Sequence, residues 1–151
     1  MISWIKGELI SSWQINNKFI LLISCQGLGY EIQTLESIYF NLNTNKKLNN
    51  NITLWLKHIK KEDSDSLFGF LSKEDRDFFV EILNIRGIGS QIGMSLLNKF
   101  SLNEIIKAIT DNYTNLISSV QGIGQKMTER IILELQSKLI KKQNNKNDQH
   151  I

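Results

Sequence analysis

Two short stretches carry the residues whose types and spacing can do chemistry. Ile85-Arg86-Gly87-Ile88-Gly89-Ser90-Gln91-Ile92 and Val120-Gln121-Gly122-Ile123-Gly124-Gln125-Lys126-Met127 align with an offset of 35 residues. The match runs on downstream, with Leu96-Leu97 over Ile131-Ile132 and Phe100 over Leu135. Each copy reads as an apolar helix, then hydrophobic-Gly-hydrophobic-Gly, then a second helix. Glycines on either side of one aliphatic residue let the backbone turn sharply while Ile88 or Ile123 plugs the space between the helices. With no side chain at the glycines, a phosphate can come close to the backbone. The second helix starts at once, so its unpaired N–H groups and positive dipole end face that phosphate. Such a site holds backbone and reads no bases. One Gly-Ile-Gly fits a plain helix-to-helix turn equally well; two aligned copies favour phosphate binding.

The two copies are armed differently. Lys126 and Arg130 stand one turn apart at the start of the second copy's last helix, where cations reinforce a phosphate contact. The first copy has Ser90 and Gln91 at the start of its second helix, with Arg86 in the loop before them. Elsewhere, Glu62, Asp63 and Asp65 gather carboxylates in a short polar stretch. Taken alone they fit a solvated hairpin tip, and no further carboxylate or histidine converges on them to suggest a metal site. Trp4, Trp13 and Trp55 are expected in the core or at subunit contacts rather than as base-stacking platforms. Cys25 is expected as a small buried or half-buried filler, and His58 and His150 have no partners suggesting catalysis.

The elements that must position these residues fall into two patterns. Up to Leu71 the chain alternates like strands, as in Ile2-Ser3-Trp4-Ile5-Lys6-Gly7, Phe19-Ile20-Leu21-Leu22-Ile23 and Ile52-Thr53-Leu54-Trp55-Leu56. Turn signals separate the runs at Asn16-Asn17, at Gly27-Leu28-Gly29 and in the Asn-rich stretch from Asn41 to Asn51. Leu67-Phe68-Gly69-Phe70 reads as the return strand of a hairpin whose tip holds the carboxylates. Five or six strands with a helical insert near Ser37–Asn41 predict a small closed barrel of the OB type. After Leu71 the period is helical. Ser72 and Ser101 are each placed as N-caps with a carboxylate three residues on, and a last helix is expected from about Gln125 to Ile140.

Composition bounds the function without choosing it. The chain has 151 residues, of which 41% are hydrophobic and 22% charged, with one cysteine and no proline. No internal disulfide is possible, no Cys/His spacing suggests zinc, and no apolar run approaches a membrane span. The N-terminus carries Lys6 and Glu8 and does not read as a signal peptide, so a cytoplasmic setting is expected. The formal charge of +3 is uninformative, because residues 72–140 hold equal numbers of acidic and basic side chains. A claim of DNA binding must therefore rest on local geometry.

An OB-like barrel followed by paired hairpins resembles the RuvA family, the Holliday-junction-binding subunits of the bacterial branch-migration complex. The resemblance covers Met1 to about Lys142. It is carried by the opening MISWIKGELI, by Gly27-Leu28-Gly29-Tyr30-Glu31, by Lys61-Glu62-Asp63 with Leu67-Phe68-Gly69-Phe70, and by both hairpins in order. It implies a four-fold symmetric homotetramer, or two tetramers as an octamer on DNA, presenting a concave basic face to an open four-way junction. DNA contacts are then implied at Gly87, Gly89, Ser90, Gln91, Gly122, Gly124, Gln125, Lys126 and Arg130. Glu62 and Asp63 match the family's acidic pin, whose carboxylates beside a strand crossover repel phosphates. Gln91 stands where family members often have lysine. The family's C-terminal domain, which follows a linker and engages the RuvB motor, has no counterpart in these residues, so engagement of that motor is not expected of this stretch.

The expected fold class is α+β: an OB-fold β-barrel with acidic pin over 1–63, an all-α tandem helix-hairpin-helix domain over 64–141, and an unfolded linker start over 142–151. The expected function is a non-enzymatic scaffold, with no cofactor and no metal, for Holliday junctions in recombination and DNA repair. The alternative is a helix-hairpin-helix repair enzyme, a glycosylase or a structure-specific nuclease. Against it, no lysine-aspartate pair follows the second hairpin, and no carboxylate cluster forms a metal site. A single-strand-binding barrel lacks the exposed aromatic ladder such grooves use.

Overall fold

A computed structural model describes residues 1–44 and 51–148. The chain divides into two compact units, Met1–Val80 and Glu81–Ile151, and the division falls within one helix.

In the first unit, β1 (Trp4–Ile15), β2 (Lys18–Cys25) and β3 (Leu28–Thr34) form an antiparallel meander. The helix α1 (Glu36–Thr44) follows, and β4 (Asn51–Lys60) and β5 (Asp65–Phe70) close a barrel in the order β1-β2-β3-β5-β4. Five strands close it because β1 is long enough to serve two partners. Trp4–Glu8 pairs with β4 and Glu8–Ile15 with β2, and the register slips between Leu9 and Ser11, a bulge that bends the strand between its neighbours. The β1–β2 turn places Asn16 and Asn17 at φ 47° and 65°, the positive angles a two-residue hairpin demands and asparagine tolerates. Alternation then sends Ile5, Leu21, Ile23, Ile32, Ile52, Leu54 and Leu56 into one core.

The same alternation excludes one of the two places expected for the tryptophans, the core. Trp4 and Trp55 are directly paired across β1 and β4, flanked by the inward Ile5, Leu54 and Leu56, and so face outward. Trp4 is 47% exposed, and Trp55 and Trp13 are half-buried; none of the three is a core residue. The Arg76 guanidinium lies 5.4 Å from the Trp55 ring centroid and donates to the carbonyls of Ser3 and Leu56 at 3.2 and 3.0 Å.

The barrel also runs past residue 63, where sequence placed its end. β5 pairs antiparallel with β4 and parallel with β3, and the unit reaches Val80. Cutting the chain before β5 would open two hydrogen-bonded edges at once. The helix α2 (Lys73–Leu83) begins at the expected cap, the Ser72 hydroxyl accepting from the Asp75 N–H at 3.1 Å. Its Phe79 is fully buried, with ring centroids 5.2 Å from Phe68 and 5.0 Å from Phe70.

The second unit continues through α3 (Ser90–Lys99), α4 (Leu102–Thr110), α5 (Thr114–Ser118) and α6 (Gln125–Asp148). Ser101 caps α4 as expected, accepting from the Glu104 N–H at 3.2 Å. The core of this unit is aliphatic, with Ile82, Leu96, Ile105, Ile109, Ile117 and Ile131 fully buried. α6 runs eight residues beyond Ile140, where sequence placed an unfolded tail from 142. Lysine and glutamine are good helix formers without any apolar period, and Lys142 Nζ anchors the extension to Glu81 Oε1 at 2.6 Å. Part of the Asn-rich turn signal (45–50) and His150 lie outside the described residues.

Candidate nucleic-acid interface

The two repeated stretches fold into the same turn. Gly87 and Gly122 adopt φ +91° and +90°, a region that costs other residues steric strain. In each copy the plug residue closes the turn: Ile88 N–H donates to the Ile85 carbonyl, and Ile123 N–H to the Val120 carbonyl, both at 3.1 Å. Ile85, Ile88, Val120 and Ile123 are all buried, so each turn is pinned from below by two aliphatic side chains. The glycines between them stay at the surface.

The second glycine of each pair has a different reason to be there. Gly89 is the N-cap of α3, with φ −92° and ψ 173°, extended backbone that any residue adopts. A Cβ added at Gly89 or at Gly124 would meet nothing within 4 Å. Neither conformation nor internal packing therefore requires glycine at 89, and no neighbour requires it at 124. What glycine leaves at both is open space directly above the start of a helix. The Gly93 N–H donates to the Gly89 carbonyl at 3.2 Å, and the Thr128 N–H to the Gly124 carbonyl at 3.0 Å, so both helices wind from the glycine itself. Gly89 brings no side chain to cap α3. The first-turn N–H groups of a helix have no acceptor within it, and together with the dipole they suit an anion.

The expected site residues are distributed as follows. Ser90 and Gln91 lie on the first turn of α3, and Gln125 and Lys126 on the first turn of α6; Gln91, Gln125 and Lys126 are exposed. Arg130, one turn further along α6, is exposed but not idle: its Nη1 donates to the Arg86 carbonyl at 2.9 Å. The same Nη1 lies 3.6 Å from where a Cβ of Gly87 would stand. In the other direction, Ile92 of α3 comes within 3.9 Å of the Cβ position of Gly122. The second helix of each hairpin thus reaches the turn of the other. Sequence reasoning passed over Lys99, at the end of α3, whose Nζ donates to the Ser119 carbonyl at 2.8 Å. Nothing local distinguishes it from an ordinary cation at a helix C-terminus.

The carboxylates of the first unit separate into two groups. Glu62 and Asp63 occupy the exposed bend between β4 and β5, closed by the Lys61 N–H donating to the Ser64 carbonyl at 2.8 Å. Asp65 instead pairs back along the hairpin, opposite Lys60, with its carboxylate 3.6 Å from His58 Nε2. Among the described residues, no three His, Cys, Asp or Glu side chains gather as a metal site, and no helix is long and apolar enough to cross a membrane.

Comparison with known proteins matches both halves of this architecture. Residues 1–69 match the family model described as the RuvA N terminal domain, and residues 79–137 match the SAM-like Helix-hairpin-helix tandem. The chain is 70% identical over 151 residues to the Holliday junction branch migration complex subunit RuvA of Prochlorococcus marinus subsp. pastoris, covering 100% of this chain and 69% of that one. It is 62% identical over 156 residues to the protein of that name from Prochlorococcus marinus strain MIT 9312, again covering 69% of the relative. The relative from strain NATL1A is 40% identical over 139 residues, 92% of this chain and 60% of that one.

Proposed function

The chain belongs to the RuvA family, and from that premise we propose that it binds four-way DNA junctions as a symmetric homotetramer and holds them open for branch migration in recombination and repair. The observation that carries the reading is the pair of matching turns, each with open space at its second glycine over a helix start. Each hairpin binds a phosphate through the N–H groups following Gly89 or Gly124, aided at the second by Lys126. These contacts position the duplex and are indifferent to its sequence, as a protein that serves junctions of any sequence requires. Glu62 and Asp63 supply negative charge at the strand crossover, discouraging a static complex. The protein itself performs no bond chemistry, and the ATP-driven motor is a separate subunit. A cytoplasmic setting fits this role.

The test compares a synthetic four-way junction with a linear duplex of the same arm sequence at moderate salt. The reading expects strong preference for the junction with neither strand cleavage nor base release, and light scattering of the free protein at the mass of a tetramer. Equal affinity for the two DNAs, or any cleaved product, would reject it.

A further inference from the structure

We propose that Arg130 and Lys99 are positioning residues that brace the two hairpin turns against each other and set the spacing between the two phosphate sites. The inference rests on the reading that both turns bind phosphate, and it assigns Arg130 a role other than the direct DNA contact its position in the sequence suggested.

The geometry is reciprocal. Arg130, on the second helix of the second hairpin, donates to the carbonyl of Arg86, the peptide that leads into Gly87. Lys99, on the second helix of the first hairpin, donates to the carbonyl of Ser119, the peptide that leads into Val120 and the second turn. Each hairpin therefore holds the other's turn by a charged donor on a backbone acceptor. Apolar packing in the same region, where Ile92 lies 3.9 Å from the position a Gly122 Cβ would take, is non-directional. Hydrogen bonds from an ionised donor are shorter, stronger and directional, so they are what fixes the register of one turn against the other. That register matters because two sites on one rigid body bind neighbouring phosphates together, the second at a high effective concentration, only while their separation matches the DNA. A brace lost leaves two working turns that no longer act as one.

This predicts a coupling that neither a direct DNA contact nor a merely structural side chain produces. The whole chain is titrated with a synthetic four-way junction as Arg130→Met, Lys99→Met, Gly89→Ala and Gly124→Ala, and as each brace variant combined with each glycine variant. Thermal unfolding confirms that every variant is folded at the assay temperature. Either brace variant is expected to bind about fivefold more weakly, the scale of one exposed hydrogen bond. In combination with Gly89→Ala and equally with Gly124→Ala, the loss should fall short of the product of the single losses by about threefold or more, because the joint engagement that the glycine variants destroy is already gone. Coupling of Arg130→Met to Gly89→Ala alone would make Arg130 a phosphate ligand of the first site and overturn the brace. Unchanged affinity in the folded brace variants, or full additivity with both glycines, would reduce them to ordinary stabilising contacts and overturn it as well. Lys99→Met carries the same test where Arg130→Met does not fold. Failure of the unsubstituted protein to bind the junction would reject the proposed function and this inference with it, whereas normal binding with additive cycles rejects this inference alone.

Discussion

Gly87 and Gly122 stand 35 residues apart and share one backbone angle, φ +91° against φ +90°, while each is followed two residues later by a glycine whose neighbours leave it open space. The two glycines of a pair thus differ, the first required by its backbone angle and the second required by no neighbour within the chain. Alanine separates them. At Gly87 or Gly122 it should cost about 1–2 kcal/mol of stability, the penalty of left-handed backbone for a residue with a Cβ. At Gly89 a less flexible unfolded chain and a poorer N-cap oppose each other, so stability should move by less than about 0.5 kcal/mol while junction affinity falls. Denaturant unfolding and a binding titration on the same variants read the two effects apart.

Gln91 and Lys126 occupy equivalent places in the two copies. Replacing Gln91→Lys should add a cation at the first site and steepen the dependence of log affinity on log salt by about 0.9, the increment for one more neutralised phosphate. An unchanged slope across a salt series would show that the start of α3 does not face DNA phosphate.

Glu62 and Asp63 stand exposed at the β4–β5 bend, whereas Asp65 is turned back toward His58. The double substitution Glu62→Gln with Asp63→Asn should tighten junction binding severalfold, and more at low salt than at high, because exposed charges are screened. Unchanged affinity together with unchanged branch migration would remove the tip from the mechanism.

Phe79 is fully buried between Phe68 and Phe70. Phe79→Ala should cost about 3–5 kcal/mol, seen as a large drop in the unfolding midpoint. A loss below about 1 kcal/mol would mean that α2 does not pack on β5 in solution.

Asp77 provides a pH-dependent contribution. Burial raises its pKa, but hydrogen bonds and charge from Lys73 at 2.7 Å and Arg76 at 2.8 Å outweigh that and hold the carboxyl below 3.8. A lowered folded-state pKa gives stability that is present above the unfolded value and lost as pH falls through the folded one. Asp77→Asn should therefore lower stability at pH 7, by no more than about 1 kcal/mol for so exposed a cluster, and the difference should shrink at pH values below 3.8. A difference that stays constant down to pH 2 would show that the ion pairs contribute nothing through ionisation.

Much of this molecule is legible in its sequence because its determinants are local. The strand alternation, the Asn16-Asn17 turn, the caps at Ser72 and Ser101 and the doubled Gly-Ile-Gly all act within a few residues, so periodicity and turn chemistry report them directly. Misplaced boundaries had a common cause. The end of the barrel depends on β5 finding both β3 and β4, and the length of α6 on Lys142 meeting Glu81, partners 61 residues apart. Of the two places expected for the tryptophans, core or subunit contact, only the core is excluded, because residue size predicts burial only when the facing side of a strand is known.

The chain's own pattern determined that there are two matching glycine turns, since a glycine at positive φ and an aliphatic plug are properties of five or six consecutive residues. Only the tertiary structure decided what the nearby cations do. Arg130 and Lys99 look like any helix-borne charges until folding brings the Arg86 and Ser119 carbonyls to them, 44 and 20 residues away, because a hydrogen bond between distant segments leaves no trace in the spacing of either.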